Sequence, residues 1–277
     1  MFFDTHCHLN FQAFDNNLEG VIDRAKKAEV NQIVVPGTDI KTSKKAIEIA
    51  KKFPNIYAAV GIHPHHVYEI IQKSKIKSQN DNSKVKDLIK QIEELLINKK
   101  VVAIGEVGID RHIYQKTVYK VYKVEERFIK LQKEFLKEQI KLAIKYDKSL
   151  ILHNREAKQD MLEVLNKIWD KKLENRTVFH CCEPDNELLQ FAIDHKMFIG
   201  VDGDITYKKD KQEFIKIVPL EMLVLETDSP FLSPDQKSIN EPKNIKVIAE
   251  FIARLLHCST DSLSKQTTEN AKKLFKI

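Results

Sequence analysis

The chain has 277 residues, 42% of them hydrophobic and 31% charged, which is enough apolar material for a packed core and excludes a disordered chain. No apolar run approaches the roughly 18 residues of a spanning helix and residues 1–5 carry no basic leader, so neither a membrane anchor nor a secretion signal is expected. A net charge of +6, scattered over lysines, permits a polyanionic partner without demanding one. The four cysteines (Cys7, Cys181, Cys182 and Cys258) lack C-x-x-C spacing and fit a reducing cytoplasmic compartment, with nuclear or organellar placement left open.

Taken in order, eight short apolar, β-branched runs read as strands: residues 2–5, 32–36, 56–62, 101–105, 150–153, 177–180, 197–201 and 222–226. Amphipathic segments lie between them. Val85, Leu88, Ile89, Ile92, Leu95 and Leu96 form one buried stripe, a second helix spans 125–146, and a third carries Met161, Leu162, Leu165 and Trp169. The polar stretch 73–84 reads as a surface insertion in the third β/α unit. Eight alternations without a compositional break predict an α/β fold, a (β/α)8 TIM-type barrel forming a single domain over residues 1–277.

Active sites of such barrels gather at the C-terminal ends of the strands, so the residues on which the runs end are informative. The first ends in His6-Cys7-His8, the fourth in Glu106, the fifth in His153, the sixth in His180 and the eighth in Glu226-Thr227-Asp228. Alternation along an extended strand sends His6 and His8 to one face and Cys7 to the other. A lone histidine at a strand end is more often a hydrogen-bonded structural residue than a ligand. Six imidazoles and carboxylates at one mouth instead suit divalent zinc, manganese, iron or cobalt, and suffice for a binuclear centre.

Asp4-Thr5-His6-Cys7-His8-Leu9, Gly61-Ile62-His63-Pro64-His65, Ile104-Gly105-Glu106 and Glu226-Thr227-Asp228-Ser229-Pro230 resemble the signatures of TatD-type deoxyribonucleases. So do Leu152-His153-Asn154-Arg155-Glu156-Ala157, Phe179-His180-Cys181, Asn240-Glu241-Pro242 and Asn270-Ala271 with Phe275, which extends the likeness over nearly the whole chain. The resemblance implies a TIM-type barrel of the metal-dependent hydrolase superfamily that cleaves DNA phosphodiesters, commonly as a 3′ to 5′ exonuclease. It also implies two divalent ions (Mg, Mn or Zn), one held by His6, His8, Glu106 and Asp228 and the other by Glu106, His153 and His180, with Glu106 as the bridge. The expected partner is DNA, single-stranded or at 3′ ends, with no membrane and no obligate protein partner.

Two divalent ions supply a strong nucleophile from water and neutralise charge growing on the phosphoryl oxygens. Asp228 is the candidate general base as well as a ligand, and Glu106 and Asp228 together form the expected catalytic pair. His63, after the third strand, is expected to hydrogen-bond a phosphate, whereas His65 and His66 read as structural. Arg155 suits a phosphate in fork geometry or a salt bridge with a carboxylate. His112, His195 and His257 read as surface histidines, Cys181 and Cys182 as small core residues. Gln132, Phe135 and Gln139 follow a family pattern on their helix, at a spacing packing alone would produce.

The chain also departs from the family pattern. Arg111 follows Asp110 where the family has Tyr, and Asp202 and Asp204 stand in a region usually rich in Ser, which bears on how substrate is gripped. Two rival readings remain: an amidohydrolase-type enzyme cleaving an amide, ester or aminoacyl bond with the same metals, and a non-catalytic nucleic-acid-binding protein.

Overall fold

The computed structural model describes residues 1–68, 83–115 and 124–277. The insertion expected at 73–84 lies, as far as residue 82, outside them. Among the described residues eight strands form one parallel sheet in sequence order: β1 (Phe2–Asp4), β2 (Val30–Pro36), β3 (Ile56–Val60), β4 (Val101–Asp110), β5 (Ser149–Arg155), β6 (Thr177–Phe179), β7 (Phe198–Val201) and β8 (Leu223–Leu225). The two outer strands meet. Thr5 N donates to Leu225 O at 3.0 Å, Asp228 N to His6 O at 2.9 Å and His8 N to Ser229 O at 2.8 Å, which closes the sheet into the expected barrel.

Helices follow the strands on the outside: α1 (Leu18–Lys27), α2 (Ile40–Lys52), α3 (Ser83–Leu95), α4 (Glu126–Lys145), α5 (Lys158–Ile168), α6 (Asn186–Asp194), α7 (Lys209–Ile215), α8 (Ile245–Leu255) and α9 (Thr260–Phe275). Local chemistry fixes their ends. Asp39 caps α2 by accepting from Thr42 N at 2.7 Å, with Thr42 returning a bond to the cap backbone. Asp185 caps α6 in the same sense, accepting from the amides of Glu187 and Leu188. On α4 the buried positions Phe128, Ile129, Gln132, Phe135, Leu136, Gln139 and Ile140 recur at helical spacing, so one face is committed to the sheet.

One apolar cluster contains a residue from every strand (Phe3, Val34, Ala59, Ala103, Ile151, Val178, Phe198 and Val224), a set that can meet only inside the cylinder. Ala271, Leu274 and Phe275 of α9 complete it, with the Phe3 and Phe275 rings 5.9 Å apart. The barrel therefore has an apolar floor at its N-terminal end. A second, larger cluster lies between the sheet and the outer helices.

The strand ends differ from the sequence reading most at β4, which runs to Asp110, five residues beyond the expected end. Ile104 pairs with Leu150 and Val107 with Leu152, so Gly105 and Glu106 together oppose the single residue Ile151. That is a β-bulge, which re-aims a side chain and then lets the ladder resume. Gly105 is required there, because a Cβ would sit 2.6 Å from Cβ of Ile151. The bulge places Glu106 in the mouth of the barrel.

Candidate active site

Six strand ends converge on a cleft of about 550 Å³ whose lining includes His8, His63, Glu106, His153, His180 and Asp228. Nε2 of His6 and Nε2 of His8 approach to 3.2 Å. Oε2 of Glu106 lies 3.5 Å from the first and 3.6 Å from the second, and Oδ1 of Asp228 lies 3.7 and 3.4 Å from them. These four atoms face one point. The other oxygen of Glu106, Oε1, is 2.8 Å from Nδ1 of His153, 3.3 Å from Nε2 of His63 and 3.5 Å from Nε2 of His180. The His6 and His180 rings stack at 3.6 Å between the two groups.

Every residue singled out in the sequence as a ligand is thus brought into one cluster. His63, expected to contact phosphate, also falls within ligand range, since His63, Glu106 and His153 offer donor atoms within 4.8 Å of one another. So do the triads His6, His8, Asp228 and His6, Glu106, His180. The donor set fits a divalent cation: imidazole nitrogens and carboxylate oxygens, buried or nearly so, converge without a lysine or arginine in any of these triads.

The protonation pattern follows from burial and charge. Burial pulls His6 down and His63 well below the usual imidazole range. It also opposes charge on His153, but hydrogen bonds to Asp110 and Glu106 outweigh it and leave that imidazole raised to about 9. His180 is raised to about 10, burial being outweighed by Glu226, Glu106 and Asp228. Burial opposes ionisation of Glu106, yet the surrounding His63, His180, His153 and His6 hold its carboxyl well below the usual range.

A ring of supporting residues escaped the sequence reading. Asp110 Oδ2 lies 2.7 Å from Nε2 of His65 and 3.2 Å from Nε2 of His153, and accepts from Tyr114 Oη at 2.8 Å. His65, expected to be structural, lines the cleft and is tied to the cluster through Asp110. Glu226 sits 3.1 Å from Nδ1 of His180 and accepts from Cys181 N at 2.5 Å. Its carboxylate fills the space over Gly200, where a Cβ would come within 2.5 Å of Oε1. Asp4 accepts from Thr227 Oγ1 at 2.7 Å and from the amides of Thr227 and His6, fixing β1 to the segment that carries Asp228.

Gln132 and Gln139, fully buried seven residues apart on α4, each grip one backbone unit twice. Gln132 accepts from Asp110 N at 2.8 Å and donates to Asp110 O at 3.2 Å; Gln139 does the same to Ile62 N at 2.7 Å and Ile62 O at 3.2 Å. They hold the end of β4 at Asp110 and the segment after β3 next to His63. Two polar residues on an otherwise apolar helix face were the available signal.

The remaining candidates separate. Arg155 is exposed on the cleft wall, its guanidinium 5.1 Å over the Tyr114 ring and Nη1 donating to Tyr114 Oη at 3.2 Å. Arg111 turns away, paired with Asp160 and, at 2.9 Å, with Glu126. Asp202 and Asp204 meet Lys211 Nζ at 2.7 and 2.5 Å, and Asp204 also meets Lys208 at 2.8 Å. The extra carboxylates are therefore neutralised by lysines at the start of α7. Asn240 donates to the carbonyls of Thr227 and Phe231, and Glu241 pairs with Arg24, which accounts for the Asn240-Glu241-Pro242 motif.

A model of the family described as TatD related DNase matches residues 3–276. The metal-dependent hydrolase YabD of Bacillus subtilis is 34% identical over all of both chains, and a metal-dependent hydrolase of Mycoplasma genitalium is 32% identical over 99% of this chain and 98% of its own. Among solved structures, YjjV, a TatD homolog of Escherichia coli K12, superposes with a TM-score of 0.82 at 28% identity, covering 100% of this chain and 98% of that one.

Proposed function

The chain belongs to the TatD related DNase family and is a metal-dependent hydrolase, and from that premise we propose that it hydrolyses DNA phosphodiester bonds with two divalent ions, as a 3′ to 5′ exonuclease built on one barrel domain. The observation that carries the two-ion reading is the division of Glu106, whose Oε2 faces His6 and His8 while its Oε1 faces His153, His63 and His180. In this reading His6, His8, Glu106 and Asp228 hold one ion, and Glu106, His153 and His180 the other. Bound divalent ions lower the pKa of water toward neutrality and offset the charge that grows on phosphoryl oxygens.

The chain's own residues supply the rest. Asp228, the ligand with the most exposed side chain beside His6 and His8, faces the cleft and is placed to accept a proton from an attacking water. His63 presents a buried ring to the same space and serves as a hydrogen-bond partner for a non-bridging oxygen or as a further ligand. Arg155, exposed on the wall and aligned by Tyr114, matches an approaching phosphate.

The test is Glu106→Ala with end-labelled single-stranded DNA and Mg, Mn or Zn. Loss of turnover with measurable DNA binding is expected, and product mapping gives the direction. Intact DNA under all three metals with the native chain, alongside cleavage of an amide or ester panel, would transfer the assignment to amidohydrolase chemistry.

A further inference from the structure

All fourteen phenylalanines lie among the described residues, and Phe231 alone is exposed, at 52% of its surface. It is not on an outer face. Its ring lines the cleft beside Asp228, together with Phe11. Phe11 lies flat against the His8 ring, centroids 4.2 Å apart and planes 14° from parallel, and Phe231 stands across both at 6.1 and 6.4 Å.

The two aromatics are set by the same local device. Phe11 N donates to His8 O at 3.0 Å and Phe231 N donates to Asp228 O at 2.9 Å, so each ring follows a cluster residue by a single turn. The backbone around Phe231 is further held, because Asn240 donates to Phe231 O at 2.7 Å and Asn240 N to Pro230 O at 3.1 Å. An aromatic ring on a fixed backbone at the edge of a polar cleft offers its flat face to a ring of a bound ligand.

We propose that Phe231, backed by Phe11, is a stacking platform for the base of a nucleotide flanking the scissile phosphate. The site thereby selects DNA whose base there is unstacked, in single strands or frayed ends. This rests on the nuclease reading above. A base within an intact duplex has both faces covered by its neighbours and can meet the ring only after unstacking, whereas a single-stranded base offers its face freely. Stacking recognises any base, so the platform confers preference for strand state and not for sequence.

The test compares the native chain with Phe231→Ala and Phe231→Trp on single-stranded oligonucleotides, each carrying either a normal base or an abasic residue at a position flanking the cleaved bond. The native chain should show a KM raised roughly 5- to 100-fold on one abasic substrate, matching what base–aromatic stacking contributes. Phe231→Ala should show that raised KM on the normal substrate and no further rise on the abasic one, and Phe231→Trp should restore discrimination. Quenching of 2-aminopurine at the same position should fall in Phe231→Ala, with manganese affinity unchanged. Equal KM for native and Phe231→Ala chains, or discrimination persisting in Phe231→Ala, would overturn the platform while leaving the nuclease intact. A native chain that cleaves none of the oligonucleotides would instead overturn the nuclease reading and the platform with it.

Discussion

Asp110 Oδ2 lies 3.2 Å from Nε2 of His153, a carboxylate on β4 steadying an imidazole on β5. Outer partners of this kind orient a ligand ring, and their removal typically lowers metal affinity about 10- to 100-fold. Asp110→Asn keeps the shape and removes the charge. It should weaken binding of one divalent ion by that order while the other binds as before, read by calorimetric titration with manganese or zinc. Two unchanged binding steps would free Asp110 from this role.

Gly108 faces the backbone of His153 so closely that a Cβ would sit 1.8 Å from His153 O. A backbone atom cannot swing aside, so Gly108→Ala must push β4 from β5. Destabilisation of about 3 kcal/mol, at or above the upper end of ordinary overpacking, is expected in urea unfolding. Metal affinity should fall in parallel, because the two strands carry Glu106 and His153.

Lys211 is buried between Asp202 and Asp204, and Lys211→Met would leave Asp202 without its cation and Asp204 with only the exposed Lys208, at about 3–5 kcal/mol at neutral pH. The pH dependence has a definite sign. Burial opposes ionisation of Asp202, but Lys211 holds its carboxyl below the usual 3.8, so its contribution is present above that value and lost as pH falls. Asp204, pushed up to about 6 by burial and by Asp202, works oppositely: its contribution is complete below 3.8 and lost as pH rises through about 6. The deficit of Lys211→Met should therefore be largest at neutral pH and shrink on acidification, as thermal unfolding from pH 4 to 8 would reveal.

Raising salt should weaken DNA binding more than the single-turnover rate at saturating DNA, because contacts to phosphate release counterions. The exposed cleft cations Arg155 and Lys208 make Arg155→Ala and Lys208→Ala the natural comparison. Each should flatten the dependence of log Kd on log salt. Slopes identical to the native chain would remove these side chains from the DNA path.

The barrel was legible in the sequence because each strand is a short apolar run ending in polar residues, and strand ends are where such a fold collects its chemistry. His6 and His8 could be placed on one face by alternation alone. The course of β4 could not, since Gly105, Glu106 and Gly108 read as a break, and only pairing with β5 shows the strand resuming after its bulge. The grip of Gln132 and Gln139 was hidden for a related reason: their partners are backbone groups 22 and 77 residues away, which helical spacing does not reveal. Lys211 is not distinguished from the other scattered lysines in the sequence, because its two acids become its neighbours only when the turn after β7 packs against α7.

The seam where β1 meets the segment after β8 holds His6 and His8 on one side and Asp228 on the other, stitched by Asp228 N to His6 O and His8 N to Ser229 O. A cation shared across that seam would act as a clasp between opposite ends of the chain. At a free concentration one hundred times its Kd, such an ion stabilises the folded form by about 2.7 kcal/mol. Metal supply would then govern how long each molecule survives cellular proteases as well as how fast it works.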